Sequence, residues 1–284
     1  MNLLDTILLV LGLACGLYLG YWVGQWSKTR RGRLGPVPSH TEYWIYLTDS
    51  TLPNRDAVMT RMVSQNPHRV AGKSPIGTQV GLLFSDIRLH VALVLRERNP
   101  AVFRPDATDS AEGATPEVLD GLARSVALVR VRYVSEEALT DNRHLTFMPH
   151  FAAAMAEIGR GTVVYDEGQR QLWTATDFAH QLDQDPAGTA LETHVRWSWS
   201  EVDRTYTTFG LRKIGRPEWR TRPAPADLRT ILGQVVEEAL RTQWPNPTDA
   251  NPVEADVYGD TYQLTLSASP DGYAEAEVYR KPLA

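Results

Sequence analysis

The chain has 284 residues, 43% of them hydrophobic and 22% charged, the proportions of an ordinary globular protein. Of its 29 Lys/Arg and 34 Asp/Glu, four cations and one Asp fall in residues 1–40, which leaves 25 cations against 33 carboxylates in the remainder. A net-acidic body excludes a general nucleic-acid binder and a domain that lies flat on anionic lipid. The single cysteine, Cys15, excludes disulfides within the soluble part and a Cys-rich zinc site.

Residues 7–26 hold no charged side chain over 20 positions. At about 1.5 Å per residue they span a hydrocarbon core of roughly 30 Å. This predicts a transmembrane anchor over residues 1–27, a basic, Pro-containing linker over 28–40 and a soluble domain over 41–284. Tyr18, Tyr21, Trp22 and Trp26 gather where aromatic rings favour the membrane interface. Lys28, Arg30, Arg31 and Arg33 follow, cations suited to anionic lipid headgroups, whereas the N-terminal flank offers only the α-amino group and Asp5. The positive-inside rule then places the soluble domain in the cytoplasm of a single-pass protein of a bacterial inner membrane. A cleaved signal peptide would carry its cations before a shorter core, and the apolar run continues well past Cys15, against a lipoprotein signal.

Gly12, Gly16, Gly20 and Gly24 recur at four-residue spacing and form one stripe along this helix. Glycine is common in membrane helices, but three overlapping small-xxx-small pairs in one register make a groove for close helix contact. The expected partner is a second copy or another membrane protein. Arginine outnumbers lysine 25 to 4, which we read as the codon usage of a GC-rich bacterium.

Gly35, Pro36 and Pro38 stiffen the linker. A strand is predicted over 43–47, then a helix over 53–62 with Thr51 as N-cap and Pro53 in its first turn. One or two strands follow over 79–96, where Ile87, Leu89, Val91, Leu93 and Leu95 alternate. Residues 99–115 read as a loop and a point of subdivision, and 116–124 as a short helix. A strong strand is expected over 125–134 with Val126, Leu128 and Val129 inward. A helix follows over 147–158, stopped by Gly159 and Gly161. Strands at 162–165 and 169–173 flank Asp166-Glu167-Gly168 as a hairpin. A helix over 176–184 precedes strands over 194–200 and 205–213, with Val195, Trp197 and Trp199 on one face. Residues 225–243 carry the 3–4 apolar spacing of an amphipathic helix. Strands over 256–267 and 273–280 close the chain through Pro270-Asp271-Gly272. Strands outnumber helices and often follow one another directly, so the expected class is α+β with a largely antiparallel sheet.

No cofactor or metal site is expected. Gly72-Lys73-Ser74 has Pro67 where a phosphate loop needs glycine. Asp141, His144 and His150 are the residue types of an acid–base or metal site, and a membrane-tethered hydrolase is the alternative function. The histidines, however, are six apart with Pro149 between them, and Asp141 or Asn142 serves as a helix N-cap. His68, His90, His180 and His194 are isolated. Trp197, Trp199, Tyr206 and Trp219 either line a groove or fill the core of a sheet.

The stretch Thr208-Phe209-Gly210-Leu211 through Gly215-Arg216-Pro217-Glu218, with His144 to Met148 upstream, resembles a family of uncharacterised bacterial α+β domains carrying a Thr-x-Gly-Leu…Gly-x-Pro-Glu segment. The likeness spans about 125–220 and implies a fold type and a bacterial origin, with no activity. From the residues themselves, Gly210 and Gly215 permit a bulge and a turn whose exit Pro217 fixes. The expected function is a binding or scaffold role at the membrane.

Overall fold

The computed structural model describes residues 37–64, 88–104, 106, 114–136, 139, 143–184, 193–225, 228–241, 252–269 and 273–281. Strand β1 (Ser39–Leu47) is buried along almost its whole length, the signature of a central strand covered on both faces. It pairs antiparallel with β3 (Ala127–Ser135) on one side and β4 (Gly161–Asp166) on the other. Beyond these lie the edge strands β2 (Leu89–Leu95) and β5 (Gln171–Thr174), giving the order β2-β3-β1-β4-β5.

On one face of this first sheet, Tyr43, Ile45, Val129, Val131 and Val164 meet Phe147, Met148, Phe151 and Met155 of α3 (Arg143–Ile158). Helices α1 (Arg55–Ser64) and α4 (Ala175–Gln184) pack beside α3. On the other face, Tyr46, Leu128, Val163 and Tyr165 meet Phe103 and the Val118/Leu122 stripe of α2 (Pro116–Arg124). Each fully buried apolar side chain here stabilises the fold by about 1.5–3 kcal/mol.

The second sheet runs β6 (Arg196–Ser200), β7 (Thr205–Phe209), β8 (Trp219–Thr221), β11 (Ala274–Arg280), β10 (Asp260–Ala268), β9 (Val253–Val257). Its pairs are antiparallel except β8 with β11, which is parallel. Helix α5 (Arg229–Arg241) covers it with Val235, Val236, Ala239 and Leu240. The class is α+β, with one antiparallel and one mixed sheet and five α-helices among the described residues.

Several local expectations are corrected. Helix α1 begins after Asn54, whose Oδ1 accepts the Ala57 N–H at 3.0 Å, while Thr51 bonds Asp49 instead. Helix α3 starts at Arg143 and runs straight through Pro149, at the cost of one backbone donor. The left-handed residue after α3 is Arg160 (φ 54°), not a glycine. Val126 is 42% exposed because it precedes β3 and lies beyond the faces that α2 and α3 cover. β7 ends at Phe209, and Lys213 belongs to a 3-10 turn, Leu211–Ile214. The strand expected over 256–267 is a hairpin, β9–β10, turning at Tyr258 and Gly259, both with positive φ. Tyr-Gly lacks the Asn or Asp that marks such turns in a sequence. Residues 99–115 connect elements of the first sheet, and the chain changes sheet between Thr174 and Arg196.

The anchor, the glycine stripe Gly12, Gly16, Gly20 and Gly24, the cations Lys28, Arg30, Arg31 and Arg33, the Gly72-Lys73-Ser74 turn and Asp141 all lie outside the described residues. Among the described residues no helix is long and apolar enough to cross a membrane.

Candidate functional site

The Thr208–Glu218 segment is a closed unit built around one buried carboxylate. Glu218 Oε1 accepts the backbone N–H of Gly210 at 2.8 Å and of Arg212 at 3.3 Å, and Oε2 accepts the Thr208 hydroxyl at 3.1 Å. Thr208 Oγ1 in turn accepts the Trp219 N–H at 2.7 Å. Burial pushes the Glu218 carboxyl up to about 6, against the pull of the backbone donors. Gly210 has φ 116°, and a Cβ there would run into the His194 carbonyl; Gly215 has φ 70°, and its carbonyl accepts the Val37 N–H at 3.1 Å. Both glycines are thus fixed by geometry.

This unit delivers Lys213 into the first sheet. Lys213 is fully buried, and its Nζ lies 2.5 Å from Asp166 Oδ2 at the end of β4. The ammonium stands 5.5 Å over the Tyr43 ring. The Lys213 carbonyl accepts from Ser39 Oγ at 2.6 Å and bonds His144 Nε2 at 2.7 Å. The His144 ring stacks on Tyr133, centroids 5.2 Å apart. Burial, then the Asp166 charge and a hydrogen bond to it, hold the Tyr43 hydroxyl well above its ordinary pKa. Gly168 completes the fit, since a Cβ there would sit 2.8 Å from Lys213 Cε.

Asp166 uses its other oxygen, Oδ1, to accept the Gln169 N–H at 3.0 Å. Gln169 then ties the sheets from the opposite end of the hairpin turn: its Nε2 donates to the Thr193 carbonyl at 3.0 Å, and its own carbonyl accepts Arg196 Nε at 2.8 Å. The polar chain Lys213–Asp166–Gln169–Arg196 therefore fixes where the edge strand β5 lies against the edge strand β6.

Between those two edges runs an open groove of about 310 Å³, near the lower end of small-ligand pockets. Trp173 and Trp197 supply aromatic surface, Gln171 and Gln181 supply amide donors and acceptors, and Arg196 supplies one cation. A cleft of about 30 Å³, the room of one water molecule, adjoins it, lined by Tyr43, Asp166 and His150.

A second polar cluster lies across the first sheet. Glu42, 2% exposed, takes Arg130 Nε and Nη2 on Oε1 at 2.8 and 2.5 Å and the Trp44 indole N–H on the same oxygen at 2.5 Å. His40 bonds its Oε2 at 3.2 Å. Burial raises the Glu42 pKa, but the hydrogen bonds from His40, Trp44 and Arg130 carry it down to about 2. A carboxylate so firmly ionised is a structural acceptor, not a proton donor at neutral pH.

The structure does not bring the sequence-predicted pair together. His144 is buried and engaged with the Lys213 carbonyl, whereas His150 lines the small cleft. Of the four aromatics, Trp219 belongs to the core of the second sheet, Trp199 packs on Tyr206 with centroids 5.1 Å apart, and Trp197 reaches the groove. From sequence, Lys213 and Gln169 have no site role and Asp166 is marked only as a hairpin turn residue, whereas it is the last residue of β4. One signal for Lys213 was available: in a chain that uses Arg 25 times and Lys four times, a lysine marks a place where a compact ammonium on a flexible stem is needed. Comparison with protein-family models, with curated proteins and with solved structures found no match to this chain.

Proposed function

We propose that this is a single-pass bacterial inner-membrane protein whose cytoplasmic α+β domain acts by binding, as a scaffold or assembly subunit, through the groove between β5 and β6. The membrane part of this reading rests on the uncharged run of residues 7–26 and the cations that follow it. The observation that carries the binding part is the groove: two indoles, two glutamine amides and a guanidinium converge in one concavity. Apolar surface with a few placed polar groups is the usual make-up of a recognition site. The buried titratable groups beside it, Lys213, Asp166 and His144, are engaged with one another in joining the sheets.

A photo-crosslinking residue at Gln171, compared with one at exposed Glu277 on β11, tests this in native membranes. The expected result is a discrete adduct from position 171 that disappears with Trp197→Ala. Identical adduct patterns from the two positions would overturn the groove as the binding surface.

A further inference from the structure

Among the described residues, the outer edge of the first sheet, β2, is an unguarded strand. β2 reads Leu-His-Val-Ala-Leu-Val-Leu over seven residues, with no Lys, Arg, Asp, Glu or Pro and an unbroken register against β3. Native edge strands ordinarily carry a charge, a proline or a bulge that blocks pairing with another chain. His90, Val91 and Ala92 are exposed, Val91 at 39%.

The hydrogen-bond phase of the ladder says which groups are open. Val134 N–H donates to the Arg88 carbonyl at 3.1 Å, and Arg96 N–H donates to the Val126 carbonyl at 2.9 Å. Even-numbered residues therefore bond β3, and the odd-numbered Leu89, Val91, Leu93 and Leu95 turn their N–H and C=O groups outward. The Leu95 carbonyl is taken by Arg98 and Asn99. Among the described residues no backbone bond reaches the outward groups of Leu89, Val91 or Leu93.

We propose that β2 pairs with β2 of a second copy of this chain, antiparallel about a two-fold axis at Ala92, to make one continuous sheet across a dimer. In that register Val91 faces the partner's Leu93, and Leu89 faces the partner's Leu95. Val91 and Leu93 would exchange both backbone bonds with the partner strand, whereas the Leu89–Leu95 pair would keep only the bond from the Leu95 N–H to the Leu89 carbonyl, because the Leu95 carbonyl is already taken. Ala92 meets the partner's Ala92 in a non-hydrogen-bonded pair, where Cα atoms approach to about 4.5 Å and the smallest side chain fits best. No charge meets a like charge between Leu89 and Leu95; just beyond, Arg88 stands opposite the partner's Arg96, with its guanidinium on the Tyr133 hydroxyl and that of Arg96 on the Leu122 and Ser125 carbonyls. On one face Leu89 and Leu93 already pack on the α3 core, and the partner's Leu93 would extend that apolar surface over Val91. A closed two-fold arrangement consumes both edges at once, which a foreign strand would not do.

Cysteine crosslinking of the full chain in detergent micelles, in a Cys15→Ser background with a mild thiol oxidant, tests the register. Ala92→Cys should form a disulfide-linked dimer about tenfold faster than Val202→Cys, a control at a 92%-exposed position. His90→Cys should stay slow, because the two copies of residue 90 would lie about 13 Å apart along the strands, beyond disulfide reach. Adding Val91→Pro to Ala92→Cys removes one outward N–H without touching the β3 ladder and should abolish the crosslink. Ala92→Cys no faster than Val202→Cys, or His90→Cys as fast as Ala92→Cys, overturns the proposal.

Discussion

Glu218 and Glu42 are both buried carboxylates, yet their surroundings send them in opposite directions. Glu218 is held by backbone N–H groups and a hydroxyl, and burial raises it from the ordinary 4.5 to about 6. A folded-state pKa above the unfolded one means the folded chain binds the proton more tightly. Stability from this group is therefore full below about 4.5 and falls as pH rises to about 6, by about 2 kcal/mol. Glu167, raised chiefly by burial, adds a slope of the same sign. Glu42 works the other way: its pKa of about 2 gives stability present above 4.5 and lost as pH falls toward 2. Glu218→Gln keeps an oxygen for Gly210 and Arg212 and an amide for Thr208. Urea unfolding of this variant should show most of the fall between pH 4.5 and 6 removed, with the acid limb below 4.5 unchanged. An unaltered fall between pH 4.5 and 6 would show that Glu218 is not its source.

At the scale of elements, what could be read from the sequence and what could not divide by the range of the interaction. The alternation in β2 and β3, the short helix over 116–124 and the 3–4 spacing of α5 are local signals, and each element appears. The hairpin at Tyr258-Gly259 and the start of α3 at Arg143, ahead of Pro149, are not local signals, because tertiary packing overrides a weak or contrary local preference. Gly210 and Gly215 were legible as a turn, but nothing local reveals that the turn exists to carry Lys213 across 47 residues to Asp166. Of the four aromatics offered as a groove only Trp197 lines it, since the opposite wall, with Trp173 and Gln171, comes from the other sheet. The proposed anchor is an element of its own and has its own test. Gly16→Ile with Gly20→Ile should leave insertion intact, because Ile partitions well into lipid. Self-association of the isolated anchor in a bacterial membrane reporter should drop about tenfold as close backbone contact is lost. Equal signals would assign the stripe to a different partner or to lipid.

For the whole molecule, the defining feature is that two sheets, each with its own core, are joined through a buried polar contact. Among the described residues, the Lys213–Asp166 pair, the bonds to the Lys213 carbonyl and the Gln169 bridge join the two sheets through polar contacts. Such a pair fixes one relative position of the sheets, because any other leaves an ammonium and a carboxylate buried and unmatched. That fixed position is what holds the β5 and β6 edges apart at the width of the groove. The most direct test is the thermal unfolding of residues 37–284, which retain the Val37 contact to Gly215, compared by calorimetry with Lys213→Met and with Lys213→Met/Asp166→Leu. Removing one member of a buried pair costs about 3–5 kcal/mol, so the single variant should melt about 10 °C below the parent. The double variant, which buries no unmatched charge, should recover most of the loss. A Lys213→Met chain that melts within about 2 °C of the parent would contradict the latch and, with it, the account of how the groove is formed.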